Sequence, residues 1–479
     1  MEVTHLNDLV FDRQNNLQNQ LYQQVVNKIV KGELTAGMKL PASRQLAKEL
    51  GISRNTIMKT IEQLVDEGYL QTRLGSGVYI NSDMNKGLLT IDSLANNHVC
   101  LPELSHYAQS FDVSANDDSP DLPFSPGLTA MDEFPMEIWQ RLTRRHSDRK
   151  ALCGYNGGQG YLPLRAALAE YLAHSRGVKC SAEQIIITQG AQQAISLCAQ
   201  VLLNSGEKVI MEEPGYRSAK NSFSAYQAKI LTAPLLDEAL DINSLKQDCY
   251  QQAKLLYCTP THQYPMGGIL SASDRLALLD WAMTSNTWII EDDYDSEFHF
   301  TQKPVAAIQG LATTTPVIYM GSFSKTLFAA LRLGYLVVPK AIVNHFVTIK
   351  SAMSGETPML SQAIVADFIT EGHFARHLRR MRISYQRKWQ HFNQLLQQLP
   401  TQCQIVAHSV GMHLVLKITN IDDLALKQYL ITQGFSPSAL SDYYQGEEKE
   451  TGLTLGFANT SIEQREQLVK LIAQYLQQK

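Results

Sequence analysis

Between residues 14 and 82 the apolar positions recur at helical spacing in three short blocks, then change to strand-like pairs. Leu21, Val25, Val26 and Ile29 share one face of a first predicted helix that ends near Lys31-Gly32. After Pro41, a short second helix turns Leu46, Ala47 and Leu50 inward, and Gly51 makes the turn out of it. Ser53 is a favourable N-cap for a third helix. That helix buries Ile57, Ile61, Leu64 and Val65 and leaves Arg54, Asn55, Met58 and Lys59 outside. Gly68-Tyr69-Leu70 stops it, and two β runs, 69–72 and 78–80, flank Gly75-Ser76-Gly77. Three helices followed by a hairpin predict a winged helix-turn-helix over 14–82.

From 83 to 123 the pattern loosens into Asn, Asp and Ser, with prolines at 102, 120 and 123, which reads as a tether with at most a short helix before Gln109. From Phe124 to the C-terminus helical and strand runs alternate, predicting an α/β domain over 124–479. Its strands are expected at 184–188, 208–211, 254–257, 288–291 and 317–320. No apolar run reaches the ~18 residues of a membrane span.

Bulk composition narrows the reading only a little. A chain of 479 residues favours at least two domains. A net charge of -4 does not announce nucleic-acid binding, so charge has to be weighed locally. Seven scattered cysteines without a C-x-x-C pair imply free thiols in a reducing cytosol rather than disulfides or zinc. Residues 1–10 carry acids and no apolar core, so no signal peptide is expected there.

The candidate chemistry centres on Gly321-Ser322-Phe323-Ser324-Lys325, at the end of the apolar run 317–320, with Arg332 close behind. A lysine there can condense with an aldehyde, while the two serine hydroxyls and the guanidinium suit a phosphate. Pyridoxal 5'-phosphate carries both groups. Upstream, Gly190-Ala191-Gln192 opens a helix whose free N–H groups suit a phosphate. Tyr216, just past a strand, can cover a cofactor ring, and Asp292 can hold a pyridinium N–H with Tyr294 beside the ring oxygen. Taken singly, each of these has a bland reading as core tyrosine, solvated acid or surface lysine.

The order of the features resembles fold-type I aminotransferases from Phe124 onward. The first part resembles the GntR family in Leu40-Pro41, Ser43-Arg44, Leu46-Ala47, Ser53-Arg54-Asn55-Thr56, Gly68-Tyr69-Leu70 and Gly75-Ser76-Gly77, with Ala42 a departure where that family has a better helix cap. Together the two halves resemble the MocR family of regulators, the group of GabR and PdxR. The resemblance implies that Arg44, Ser53, Arg54, Asn55, Thr56 and the wing tip Gly75, Ser76 and Gly77 meet double-stranded operator DNA. It also implies that Lys325, Asp292, Tyr294, Tyr216, Ser322, Ser324, Arg332, Ala191 and Gln192 hold pyridoxal phosphate. Tyr155 would reach the phosphate of a neighbouring subunit, which makes the body a homodimer. A small amine or amino acid is the implied effector, and the cytoplasm the implied compartment.

Two departures bear on activity. Tyr264-Pro265-Met266-Gly267 stands where aminotransferases have Asn-Pro-Thr-Gly, and Thr454 stands where they have the arginine that grips the substrate carboxylate. Transamination is therefore expected to be poor. Two alternatives stay open: an active aminotransferase with an accessory head, and a regulator whose body only dimerises. The basic segment 372–389, with Arg376, Arg379, Arg380, Arg382, Arg387, His373 and His377, is expected as a solvated helix face or subunit contact.

Overall fold

The computed structural model describes residues 6, 9–13, 15–73, 75–81, 102–109, 122–300, 305–406, 410–446 and 449–477. They belong to two compact units, Met1–Leu104 and Ser105–Lys479. Most of the tether expected over 83–123 lies outside the described residues. Its described part includes the helix His106–Gln109, whose Tyr107 hydroxyl donates to the Asn221 carbonyl at 3.2 Å.

The first unit has the predicted order: α1 (Leu17–Val30), α2 (Ser43–Leu50), α3 (Arg54–Asp66), β1 (Leu70–Arg73) and β2 (Gly77–Ile80). Asn16 caps α1 by accepting from the Gln18 and Asn19 N–H groups, and Ser53 caps α3 through the Thr56 N–H at 3.1 Å. Ala42 offers α2 no side-chain cap. Leu21, Val25, Ile29, Leu46, Ile57, Leu64, Leu70 and Ile80 close the core. The inner face of α3 differs from the sequence reading. Ile57, Thr60 and Leu64 are its buried residues, while Ile61 and Val65 are only half-buried. Thr60 is tolerated inside because its hydroxyl donates to the Thr56 carbonyl one turn back.

The second unit is built on an eight-stranded sheet. Its strands are β3 (Ile185–Thr188), β4 (Lys208–Glu213), β5 (Lys229–Leu236), β6 (Ala239–Leu240), β7 (Leu255–Cys258), β8 (Trp288–Asp293), β9 (Val317–Ser322) and β10 (Gly334–Val337), in the order β3-β10-β9-β8-β7-β4-β5-β6. β4, β5, β7, β8 and β9 run parallel, and β10 is inserted antiparallel between β9 and β3. Apolar layers cover both faces, which is why β3, β7 and β10 are buried at every position. A second, antiparallel sheet follows: β11 (Cys403–Val406), β12 (His413–Ile418), β13 (Ser438–Ala439) and β14 (Gly452–Gly456). Phe124 ties the start of the unit to this end of it, packing at 5.5 Å from Phe392 and 5.4 Å from Phe435. Among the described residues no helix is long and apolar enough to cross a membrane.

Candidate functional site

Parallel strands place their functional residues at their C-terminal ends, and here β7, β8 and β9 end around one cavity of about 320 Å³. The three acids at the end of β8 are separated by strand alternation. Glu291 and Asp293 share one face and are paired there, although the buried Asp293 Oδ1 has no hydrogen-bond partner. The Glu291 carboxylate accepts from the Ile308 and Gln309 N–H groups at 2.8 and 2.9 Å and lies 3.6 Å from Arg275. The Arg176 Nε donates to Asp293 at 2.7 Å, and the Tyr319 hydroxyl donates to the same oxygen.

Asp292 points the other way, into the cavity. The Tyr257 hydroxyl donates to its Oδ2, while its buried Oδ1 has no hydrogen-bond partner. Burial, then the charges of Asp293 and Asp295, push this carboxyl up to about 7 against the pull of Tyr257 and Lys325. A buried acceptor without a donor needs an explanation.

Lys325 follows β9 and is half-buried at the cavity wall; its Nζ donates to the Gly127 carbonyl at 3.1 Å. Burial lowers its pKa, with Asp295 and Asp292 opposing the effect. Gly127 has φ +87°, and a Cβ there would stand 1.7 Å from Nζ, so only glycine fits beside the lysine. Ser322 and Ser324 share the wall, with the Ser324 N–H donating to Ser322 Oγ at 3.1 Å. Arg332, at φ +50°, reaches the Gln189 carbonyl at 3.4 Å and lies against Gly190. Gly190 precedes the helix Ala191–Leu202, which has no side-chain cap, and Ala191 and Gln192 also line the cavity. The helix start, the two serines and the arginine thus line one cavity, and their donors are of the kind that suits an anion.

Tyr216, at the N-cap position of the helix Arg217–Ala225, and Tyr294 complete the wall. The Tyr294 hydroxyl is 2.9 Å from His262 Nδ1, which is itself held by Asp295 at 2.9 Å. Nine of the ten cofactor residues expected from the sequence therefore meet in one cavity. Tyr155 does not. It is 99% exposed in the loop before the helix Leu162–Arg176.

Several neighbours escaped the sequence reading: Tyr257, His262, Arg176, Arg275, and Glu212, which accepts from the Thr259 hydroxyl at 2.7 Å. His413 on β12 meets the Pro265 carbonyl through Nε2 at 2.8 Å, and burial pushes its pKa down to about 4. Opposite the cofactor residues the wall is phenolic. The Tyr264 and Tyr443 hydroxyls are 3.0 Å apart, and Thr454, fully buried on β14, sits beside Tyr443 rather than at the cavity surface.

A wider cleft, of about 950 Å³, lies away from this chemistry. The helix His373–Leu396 lines it with Arg376, Arg379, Arg380 and Arg387, facing Asp132, Glu133 and the start of the helix Ile462–Gln477. The expected basic face is thus partly real, but His377 is buried, with Nε2 3.0 Å from the Thr326 carbonyl. Arg382 is exposed as expected and donates to the Glu297 carbonyl at 2.7 Å.

In the first unit, Arg44, Ser53, Arg54 and Asn55 are exposed, with Thr56 half-buried against the Ser53 hydroxyl at 2.8 Å. The wing tip Gly75, Ser76 and Gly77 is exposed, and both glycines have positive φ, +74° and +115°. The sequence reading missed that Tyr79 organises the wing. Arg73 lies 4.6 Å over its ring, Lys39 5.8 Å, and its hydroxyl meets Ser76. Residues 14–82 hold eight Lys and Arg against five Asp and Glu, so the head is basic although the chain is acidic.

Residues 17–80 match the model for bacterial regulatory proteins of the gntR family, and residues 128–472 match that for aminotransferase class I and II. The chain is 37% identical to the probable rhizopine catabolism regulatory protein MocR of Rhizobium meliloti, over 94% of this chain and 92% of that protein. It is 29% identical to the pyridoxine biosynthesis transcriptional regulator PdxR of Corynebacterium glutamicum, over 93% and 92%. Among solved structures it resembles LysN, the alpha-aminoadipate aminotransferase of Thermus thermophilus complexed with N-(5'-phosphopyridoxyl)-L-leucine. That match has a TM-score of 0.70 and 27% identity, and covers 78% of this chain and 99% of that one.

Proposed function

Since the chain belongs to the MocR family of helix-turn-helix transcriptional regulators, with a gntR-type head and an aminotransferase class I and II body, we propose that the body holds pyridoxal 5'-phosphate and reports its state to a DNA-bound head. One observation carries this reading: a buried Asp292 oxygen without a donor, in the same cavity as a half-buried lysine and a cluster of donors suited to an anion. A pyridinium N–H is the donor that fits.

When bound, the cofactor supplies an aldehyde carbon and an electron-accepting ring. Lys325 would hold that carbon, and its burial favours the neutral, nucleophilic amine. Asp292 would keep the ring nitrogen protonated, with Tyr257 orienting the carboxylate. Tyr294 would donate to the ring's 3' oxygen while the His262–Asp295 pair fixes its hydroxyl. Tyr216 would cover the ring face. Ser322, Ser324, Arg332 and the N–H groups at Ala191 and Gln192 would hold the phosphate. The exposed Tyr155 would reach the phosphate of a second subunit, which makes the body a homodimer.

In the head, Arg54 and Asn55 at the start of α3 would enter the major groove, with Arg44 and the glycines of the wing on the phosphates. A ligand changes this regulator's hold on DNA only if it binds two arrangements of the dimer unequally. Thr454 argues that the body is a poor aminotransferase, because no arginine stands there for a substrate carboxylate. The work of the chain is then regulatory and cytoplasmic, where its DNA lies. Lys325→Ala should abolish the visible absorbance of the purified protein and leave the head folded. Unchanged absorbance would overturn the assignment.

A further inference from the structure

Resting on the cofactor reading above, we infer that the effector of this cavity is a primary amine without an α-carboxylate, carrying neutral hydrogen-bonding groups. Among the described residues that line the cavity, the cations are Lys325 and Arg332. Both are committed by that reading, one to the aldehyde carbon and one to the phosphate. An α-carboxylate entering beside Lys325 would find no third cation. Arg217 follows the ring-covering Tyr216 but is exposed at the start of its helix and does not line the cavity.

The remaining wall is neutral or acidic. Tyr264 lines it, backed at 3.0 Å by the Tyr443 hydroxyl, with Thr454 behind. His413 packs 5.3 Å from Tyr264 and 5.0 Å from His262, and its burial keeps it uncharged. The nearby acids are Asp292, Glu212 and Asp295, all buried. A carboxylate here would find no ion pair beyond the two committed cations, with the acid Asp292 in the same wall; a neutral amine carries no charge that needs one. The Tyr264 hydroxyl, able both to donate and to accept, suits a neutral hydrogen-bonding group on the amine.

Exchange at the lysine balances without a redox partner. The entering nitrogen takes over the C–N double bond from Lys325, and the lysine leaves as a neutral amine. Three nitrogen-bound protons are present before and after.

The test uses full-length protein loaded with cofactor and three matched pairs: ethanolamine with L-serine, tyramine with L-tyrosine, and histamine with L-histidine. Each is titrated while the visible absorption and the thermal midpoint are followed. At least one amine should act at a concentration about tenfold or more below its amino acid. An amino acid that matches or outdoes its amine in every pair, or a set of amines without effect, overturns the inference. A colourless protein that takes up no cofactor instead refutes the underlying reading, before any amine is added.

Discussion

Asp292→Asn separates what the cavity does for the cofactor from what it costs the fold. Burial, helped by Asp293 and Asp295, raises this carboxyl from 3.8 to about 7. The folded, cofactor-free protein therefore keeps a proton that the unfolded chain has already released above about pH 4. The stability that goes with this proton is fully present below the unfolded pKa and is lost as the pH rises through the folded one. Between about pH 5 and about pH 7 the loss amounts to roughly 2–3 kcal/mol, at 1.36 kcal/mol for each pH step of one. Asparagine has the same shape and still accepts from Tyr257, but has no charge to bury. Glu212 is also pushed up to about 7, chiefly by burial with Asp292 a lesser cause, so most of its slope is common to both proteins. The cofactor-free variant should thus gain on the parent by roughly 2–3 kcal/mol on going from about pH 5 to about pH 8. Urea unfolding followed by tryptophan fluorescence measures this cleanly, because Trp139, Trp281, Trp288 and Trp389 all lie in the body. With cofactor present the sign reverses: losing a charge-assisted hydrogen bond of about 1.5–3 kcal/mol weakens binding about 10- to 150-fold. A stability difference that is the same at both pH values would refute the account of Asp292.

Arg176→Leu strips Asp293 of its partner in a fully buried setting and should cost about 3–5 kcal/mol in the same unfolding assay, with part of the loss recovered by adding Asp293→Asn. An unchanged midpoint would show that the pair is not what holds the end of β8. Arg54→Ala should cost about 1–3 kcal/mol on the operator and relax sequence preference, whereas Arg44→Ala should weaken all DNA alike and lower the salt slope by about 1. Mobility shifts on specific and random duplexes separate these outcomes; an Arg54 variant that loses both equally contradicts the docking of α3.

The sequence disclosed those parts of the molecule that depend on local order. The head follows from apolar spacing and caps, and its buried Thr60 was missed because a back-bonded threonine hides its polarity. Lys325, Arg332 and Asp292 were legible because each stands just past an apolar run, where parallel strands present their residues. The partners of the buried acids were not legible. Arg176 lies 117 residues from Asp293, and Tyr257 lies 35 from Asp292, so only the folded sheet brings them together. Thr454 was identified as a missing arginine, but the tyrosine pair in front of it could not be read from either segment alone.

The reversed strand β10 has a further consequence. Ser322 and Gly334 pair directly across the β9–β10 ladder, so the loop carrying Lys325 and Arg332 is stitched to the sheet at both ends. Lysine and phosphate grip form a fixed anvil. The side chains packed behind Tyr264, His413 and Tyr443, belong to the smaller sheet and its neighbouring turn. On the proposed reading, adjustment to a bound amine is expected on that side rather than in the loop that carries Lys325.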